Sequence, residues 1–184
     1  MRLVQNGQLE PFEELVRRYR APLLRVAASK LGDATAAEDI VQEAFLAVFA
    51  ACDTFNPAFS FRTWLWTILL NLCKRQLKRR SRQPGLPPSD AARASSQTGL
   101  SEPIHHETGL IRALLHERNT RLRELLLTLP EVQSDAVRLR FFGGLKFQEI
   151  AEAMGCSLIA AKMRVKNGLL KLAETLRKEE GASS

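Results

Sequence analysis

The stretch FNPAFSFRTWLWTILLNLCKRQLKRRSR, Phe55 to Arg82, is the most one-sided in the chain. Aromatic residues crowd its start and then give way to bases: Arg62, Lys74, Arg75, Lys78, Arg79, Arg80 and Arg82 follow with no Asp or Glu among them. Read as a helix from about Ser60, it spaces Trp64, Leu65, Ile68, Leu69 and Leu72 three and four apart, which predicts one buried stripe. Thr67, Asn71, Lys74 and Lys78 share the opposite face. Polar side chains for base edges, cations for phosphates, and Phe55, Phe59 and Phe61 as stacking surfaces are what a binder of unpaired nucleic acid needs. Alone, the aromatics fit a core better than a stacking platform. The acid-free basic face beside them tips the balance to nucleic acid.

Outward from this stretch, the composition is that of a globular protein: 184 residues, 45% hydrophobic, enough for one domain or two small ones. The formal charge of +7 is uneven. Residues 1–82 carry net +5, residues 83–110 net −2 and residues 111–184 net +4, so an affinity for polyanions belongs to both halves. Cys52, Cys73 and Cys156 are an odd set without CxxC spacing, which argues against a disulfide framework or structural zinc and fits a reducing compartment. The opening MRLVQNGQLEPFEELVRR is too polar for a signal peptide, and the apolar run Trp64 to Leu70 is too short to span a bilayer. The expectation is a cytoplasmic protein without membrane insertion.

Upstream, Phe12, Leu15, Val16, Tyr19, Leu23, Leu24, Val26 and Ala27 suggest helical packing faces from Pro11 to Leu31, with an irregularity at Pro22 and a stop at Gly32. Asp33 or Thr35 caps a next helix, Ala36 to Ala50, whose inner stripe is Ala37, Ile40, Val41, Ala44, Phe45, Val48 and Phe49. Its outer face carries Asp39, Gln42, Glu43 and Leu46, three, one and three apart. Carboxylates around an exposed leucine suit a basic, partly apolar protein partner, or form a plain solvated face. Glu38 and Asp39 diverge by about 100° on a helix and make no catalytic pair.

Downstream, residues 83–110 are rich in Pro, Ser, Gly and Ala without periodicity and read as a flexible linker, in which His105 and His106 lack companion ligands for a metal. Helical patterns resume over Leu110 to Thr128 and Glu131 to Phe141, separated by Leu129-Pro130. After Gly143-Gly144, Phe147, Ile150, Ala151 and Met154 mark a short helix that stops at Gly155. Ser157 caps a longer one with Leu158, Ala161, Val165, Leu169 and Leu172 as its expected buried positions. This is a helix-turn-helix pattern, and the outer face of its second helix offers Lys162, Met163, Arg164, Lys166 and Asn167 to a major groove.

Both halves resemble one family, the sigma-70 type sigma factors of bacterial RNA polymerase, in the compact extracytoplasmic-function group. AEDIVQEAFLAVFAA and the stretch from Phe55 to Arg82 resemble its region two. LPEVQSDAVRLRFFGGLKFQEIAEAMGCS with AKMRVKNGLLKLAE resembles its region four. The resemblance implies an all-α chain of two small helical domains, residues 1–82 and 111–184, joined by the linker over 83–110. It implies a specificity subunit without catalytic residues or cofactor, partnered by core polymerase, promoter DNA and an anti-sigma factor. Asp39, Gln42, Glu43 and Leu46 would meet the clamp helices of the polymerase β′ subunit. Asn56, Phe59, Ser60, Phe61, Arg62, Trp64, Asn71, Lys74, Arg75, Lys78 and Arg79 would hold the melted non-template strand of the minus-ten element, with a flipped base in the loop. Lys146, Phe147, Gln148, Ser157, Lys162, Met163, Arg164, Lys166 and Asn167 would bind the minus-thirty-five element as duplex, and the same domain would dock on the β flap.

The chain departs from the family pattern in two places. Ile159-Ala160 stand where Gly or Asn followed by Thr is usual, and Met163 replaces a common Ser. A free-standing repressor would have no use for the first half, and a nucleic-acid enzyme would need a nucleophile or clustered carboxylates that the chain does not offer.

Overall fold

The computed structural model describes Gln5 and residues 10–82 and 109–182. Among these residues all regular structure is helical. Helix α1, Glu10–Leu31, begins with Glu10 and Glu13 at its positive end and runs through Pro22 without interruption. Gly32 then adopts a left-handed φ of 70°, which ends it. Helix α2, Ala34–Ala50, is capped by Asp33, whose carboxylate accepts the Ala36 N–H at 3.0 Å. A single 3-10 turn, Cys52–Thr54, leads towards α3, Phe61–Arg82. In the second half come α4, Gly109–Leu127, α5, Glu131–Phe141, α6, Phe147–Ala153, and α7, Leu158–Ala182. The expected linker and its two histidines lie outside the described residues, except that Gly109 and Leu110 already belong to α4.

Helices α1, α2 and α3 pack through Leu23, Val26 and Ala27, through Ala37, Val41, Ala44 and Val48, and through Leu65 and Leu69, all of them buried. Most of the predicted α2 stripe is there, but Phe49 is 42% exposed and leans on Phe12 at 5.2 Å between ring centroids. Helix α3 departs further from the single stripe. Trp64 and Ile68 are only half-buried, whereas Trp66, Leu70 and Cys73 are buried on a second side. The cause is the second half, which packs on that side, so one apolar cluster runs from α1–α3 into Ala136, Leu139, Leu145, Ile150 and Val165. A smaller cluster of Leu125, Leu126, Leu129, Val137 and Leu172 joins α4, α5 and α7.

In α7 the predicted buried positions Leu158 and Leu169 are exposed. Ala161, Val165, Gly168 and Leu172 form the inner face instead. A Cβ on Gly168 would stand 2.8 Å from a Val137 methyl, so α5 and α7 approach too closely there for a side chain. Leu139→Ala, at a fully buried site, should therefore cost about 2–5 kcal/mol in chemical denaturation. Leu169→Ala should cost less than about 1 kcal/mol. Equal losses would place Leu169 in the core after all.

Candidate nucleic-acid interface

The loop before α3 is built on aromatic packing. Phe55 is buried, 4.9 Å from Trp64 and 6.1 Å from Phe61, and Phe61 sits edge-on to Tyr19 at 5.9 Å. Gln5 donates to the carbonyls of Cys52 and Phe55 at 2.8 and 3.0 Å and so fixes the loop's base. The Asn56 side chain accepts the Ala58 N–H at 2.9 Å, a local turn that lifts the following residues outward. Phe55 is thus core and not a stacking platform, Phe61 and Trp64 are half-buried, and Phe59, 70% exposed, presents an open ring. Exposed Ser60 accepts the Thr63 N–H at 3.4 Å, near the start of α3.

Along α3, Asn71, Lys74 and Lys78 are exposed on the predicted face, with Thr67 half-buried, and Arg79 is exposed as well. Arg75 is exposed too but pairs with Glu43 of α2. Arg62 is turned elsewhere. Its guanidinium donates to the Gly144 and Gly143 carbonyls at 2.9 and 3.3 Å and lies 3.3 Å from Glu149, all in the second half. The partner face of α2 shows Asp39 and Gln42 exposed, Glu43 half-buried and Leu46 61% exposed. Beside Leu46 an apolar groove between α1 and α2 is lined by Phe12, Val16, Phe45 and Phe49.

In the second half, Gly155 takes a left-handed φ of 60° and the Cys156 N–H returns to the Ala151 carbonyl at 2.9 Å, which closes α6 tightly before α7. Ser157 accepts the Ala160 N–H at 3.1 Å and so caps α7. Lys162, Met163, Lys166 and Asn167 line one exposed face of α7, with Ile159 on the same face and Arg164 half-buried to one side. Lys146 and Gln148 are exposed. Phe147 is half-buried under the Arg140 guanidinium, 4.9 Å from the ring centroid.

These geometries place a basic helix behind an exposed aromatic and a helix-turn-helix in the same chain. Residues 15–83 match the model for sigma-70 region 2, and residues 119–172 match that for sigma-70 region 4. The RNA polymerase sigma-H factor of Pseudomonas aeruginosa is 30% identical over 167 residues, 88% of this chain and 84% of that one. The chain belongs to the sigma-70 family of RNA polymerase sigma factors. The ECF sigma-E factor of Escherichia coli K12, 31% identical over 166 residues with the same coverage, places it in the extracytoplasmic-function group. In fold it resembles CnrH, solved with the cytosolic domain of CnrY, at a TM-score of 0.70 and 24% identity over 95% of this chain and 92% of that one. It also resembles RpoE from Bartonella quintana, solved with the anti-sigma factor NepR, at 0.68 and 22% over 91% and 98%. A sigma factor is a non-catalytic specificity subunit, and promoter-specific initiation of transcription is its function. Among the described residues no helix is long and apolar enough to cross a membrane.

Periodicity did not reveal a buried ionic cluster between the halves. Lys30 of α1 donates to both Asp135 carboxylate oxygens at 2.6 and 2.8 Å and to Glu131 at 3.0 Å. Arg138 donates to Ser29 at 3.1 Å and lies 3.5 Å from Asp135. The side chains of Lys30 and Asp135 are each 2% exposed. Burial, with Asp135 opposing it, lowers the Arg138 pKa; the Lys30 hydrogen bond holds Glu131 below the usual carboxylate range. In sequence the cluster shows only as an acid and a base, Asp135 and Arg138, three apart on a helix face that also carries Glu131 and Ser134. Cys73 adjoins this cluster, and burial pushes its thiol up to about 12. Only the thiolate reacts with alkylating agents. Cys73 should therefore remain unalkylated by iodoacetamide in the folded chain at pH 8 and react once denaturant is added; labelling at the same rate in both states would show it to be solvent-accessible.

Proposed function

We propose that the first half carries the polymerase contact and the minus-ten reader, and the second half the minus-thirty-five reader, with the division near residues 82 and 111. The observation that carries this is the disposition of exposed groups: acids around Leu46 on α2, an acid-free polar and cationic face on α3, and Lys162, Lys166 and Asn167 on α7. One surface fits a protein and two fit nucleic acid. The Asp39, Gln42, Glu43 and Leu46 face receives the clamp helices of the β′ subunit, its exposed leucine being the apolar centre of a charged contact. Phe59 and the half-buried Phe61 and Trp64 hold an unstacked base of the non-template strand, while Asn71, Lys74 and Lys78 take its backbone and base edges.

On the duplex side, Ser157 and the start of α7 approach phosphates, Lys162, Lys166 and Asn167 enter the major groove, and Lys146 and Gln148 take the flank. The second half also docks on the β flap. An anti-sigma factor that covers these faces holds the chain silent; a partner of this kind is supported by RpoE of Bartonella quintana, which was solved with the anti-sigma factor NepR. The work is done in the cytoplasm, where the polymerase is.

Asp39→Arg combined with Glu43→Arg tests the assignment. Both residues lie on the surface of α2, so the helical circular dichroism should be unchanged while affinity for core polymerase falls at least tenfold. Undiminished binding by a folded variant would remove the partner face from α2.

A further inference from the structure

We propose that Ile159, with Met163 beside it, is an apolar reader of a pyrimidine 5-methyl group, so that the upstream element carries a thymine opposite Ile159. This rests on the assignment of α7 to duplex DNA above and narrows it to one base and one group on that base. Helix α7 turns about 100° per residue. Its buried residues Ala161, Val165, Gly168 and Leu172 share one side, and Ile159 and Met163 lie about 150° and 170° round from the middle of that side. They are 75% and 45% exposed, with Lys162 and Lys166 on one flank and Asn167 on the other. Ser157 holds the first turn in place by accepting the Ala160 N–H at 3.1 Å, so Ile159 stands on an ordered backbone.

The surroundings favour nucleic acid over a protein as what this apolar pair meets. From Leu158 to Ala173 the helix carries Lys162, Arg164, Lys166 and Lys171 and no Asp or Glu. Protein interfaces are depleted of lysine around their apolar centres, whereas a duplex draws lysine to its phosphates.

The major groove offers few apolar atoms to such a pair. Guanine shows two acceptors there, adenine an acceptor and a donor, cytosine a donor, and thymine an acceptor beside its 5-methyl group. A branched aliphatic side chain laid over a donor or acceptor strips it of water and returns no hydrogen bond. Laid on a thymine methyl, the same side chain takes apolar surface out of water on both partners. Ile159 therefore favours thymine and also rejects the edges that lack a methyl group. Met163 is one turn further on, about 6 Å along the axis and within two base-pair steps of about 3.4 Å, and its unbranched side chain fills the space beside the methyl. Leu170 continues the same line and is 54% exposed. It lies about 17 Å from Ile159 along the axis, too far to share a base pair, and serves as an internal control.

The test uses the holoenzyme assembled from the full chain and core polymerase. Upstream duplexes selected from a pool randomised over that element should carry a thymine at one position, and the Ile159→Ala holoenzyme should lose the preference there. Leu170→Ala should leave the selected block unchanged. Replacing the thymine by uracil, which lacks only the methyl, should weaken binding of the wild-type holoenzyme about fourfold, the worth of one buried methyl group. With a C·G pair at the same position, 5-methylcytosine should bind about fourfold more tightly than cytosine. Both differences should vanish in Ile159→Ala. Equal affinity of the wild-type holoenzyme for the thymine and uracil duplexes, or a difference that survives Ile159→Ala, would overturn the proposal. An unchanged block in Ile159→Ala together with weaker binding to core polymerase would overturn it too and make Ile159 a protein contact. Selection of a minus-ten block with no upstream block at all, by the wild-type holoenzyme, would instead sink the assignment of α7 to duplex DNA, and the proposal with it.

Discussion

Helix α3 has more apolar surface than one neighbour can cover, and the rest of the molecule follows from that. Leu65, Leu69 and Leu72 meet α1 and α2, while Trp66, Leu70 and Cys73 need a second cover. A helix that is apolar over most of its circumference belongs in an interior. The second half supplies the cover with the turn at Gly143 and with α6. The α3 surface left uncovered includes the strip of Asn71, Lys74 and Lys78, and so the same packing that buries the helix also sets the direction in which its polar face looks.

The cover is mixed in chemistry. Its apolar part is Trp66 against the glycine turn and the residues around Leu139 and Leu145; its polar part is the Lys30, Asp135, Glu131 and Arg138 cluster with the Arg62 and Thr63 contacts. Apolar burial favours contact roughly in proportion to area, whereas buried charges demand their partners without adding much net stability. An interface of this kind specifies one relative placement of the halves.

Much of this was legible in the sequence, and the exceptions have physical reasons. Helix positions followed from the 3.6-residue period, and the cap at Ser157 from a side chain that accepts a backbone N–H, while of the two candidates Asp33 and Thr35 it is Asp33 that caps α2. The turns at Gly32 and Gly155 followed from the left-handed backbone that glycine tolerates. Leu169 was misplaced because Gly168 fills the inner position, and a glycine carries no hydrophobic signal. Phe55 and Phe59 look alike in sequence; four residues of turn geometry make one core and leave the other exposed. The Lys30–Asp135 pair carried no signal in the sequence, since each charge is neutralised by a residue more than a hundred positions away. The family resemblance rested on motifs within each half, which say nothing of how the halves meet.

The most direct measurement is run-off transcription by purified bacterial core polymerase, with and without this chain, on a fragmented library of genomic DNA. A sigma factor with two readers predicts new, specific start sites that share one sequence block at the minus-ten position and another at the minus-thirty-five position. No new starts, in the presence of duplex binding by the chain alone, would contradict it and mark the helix-turn-helix as that of a free-standing regulator.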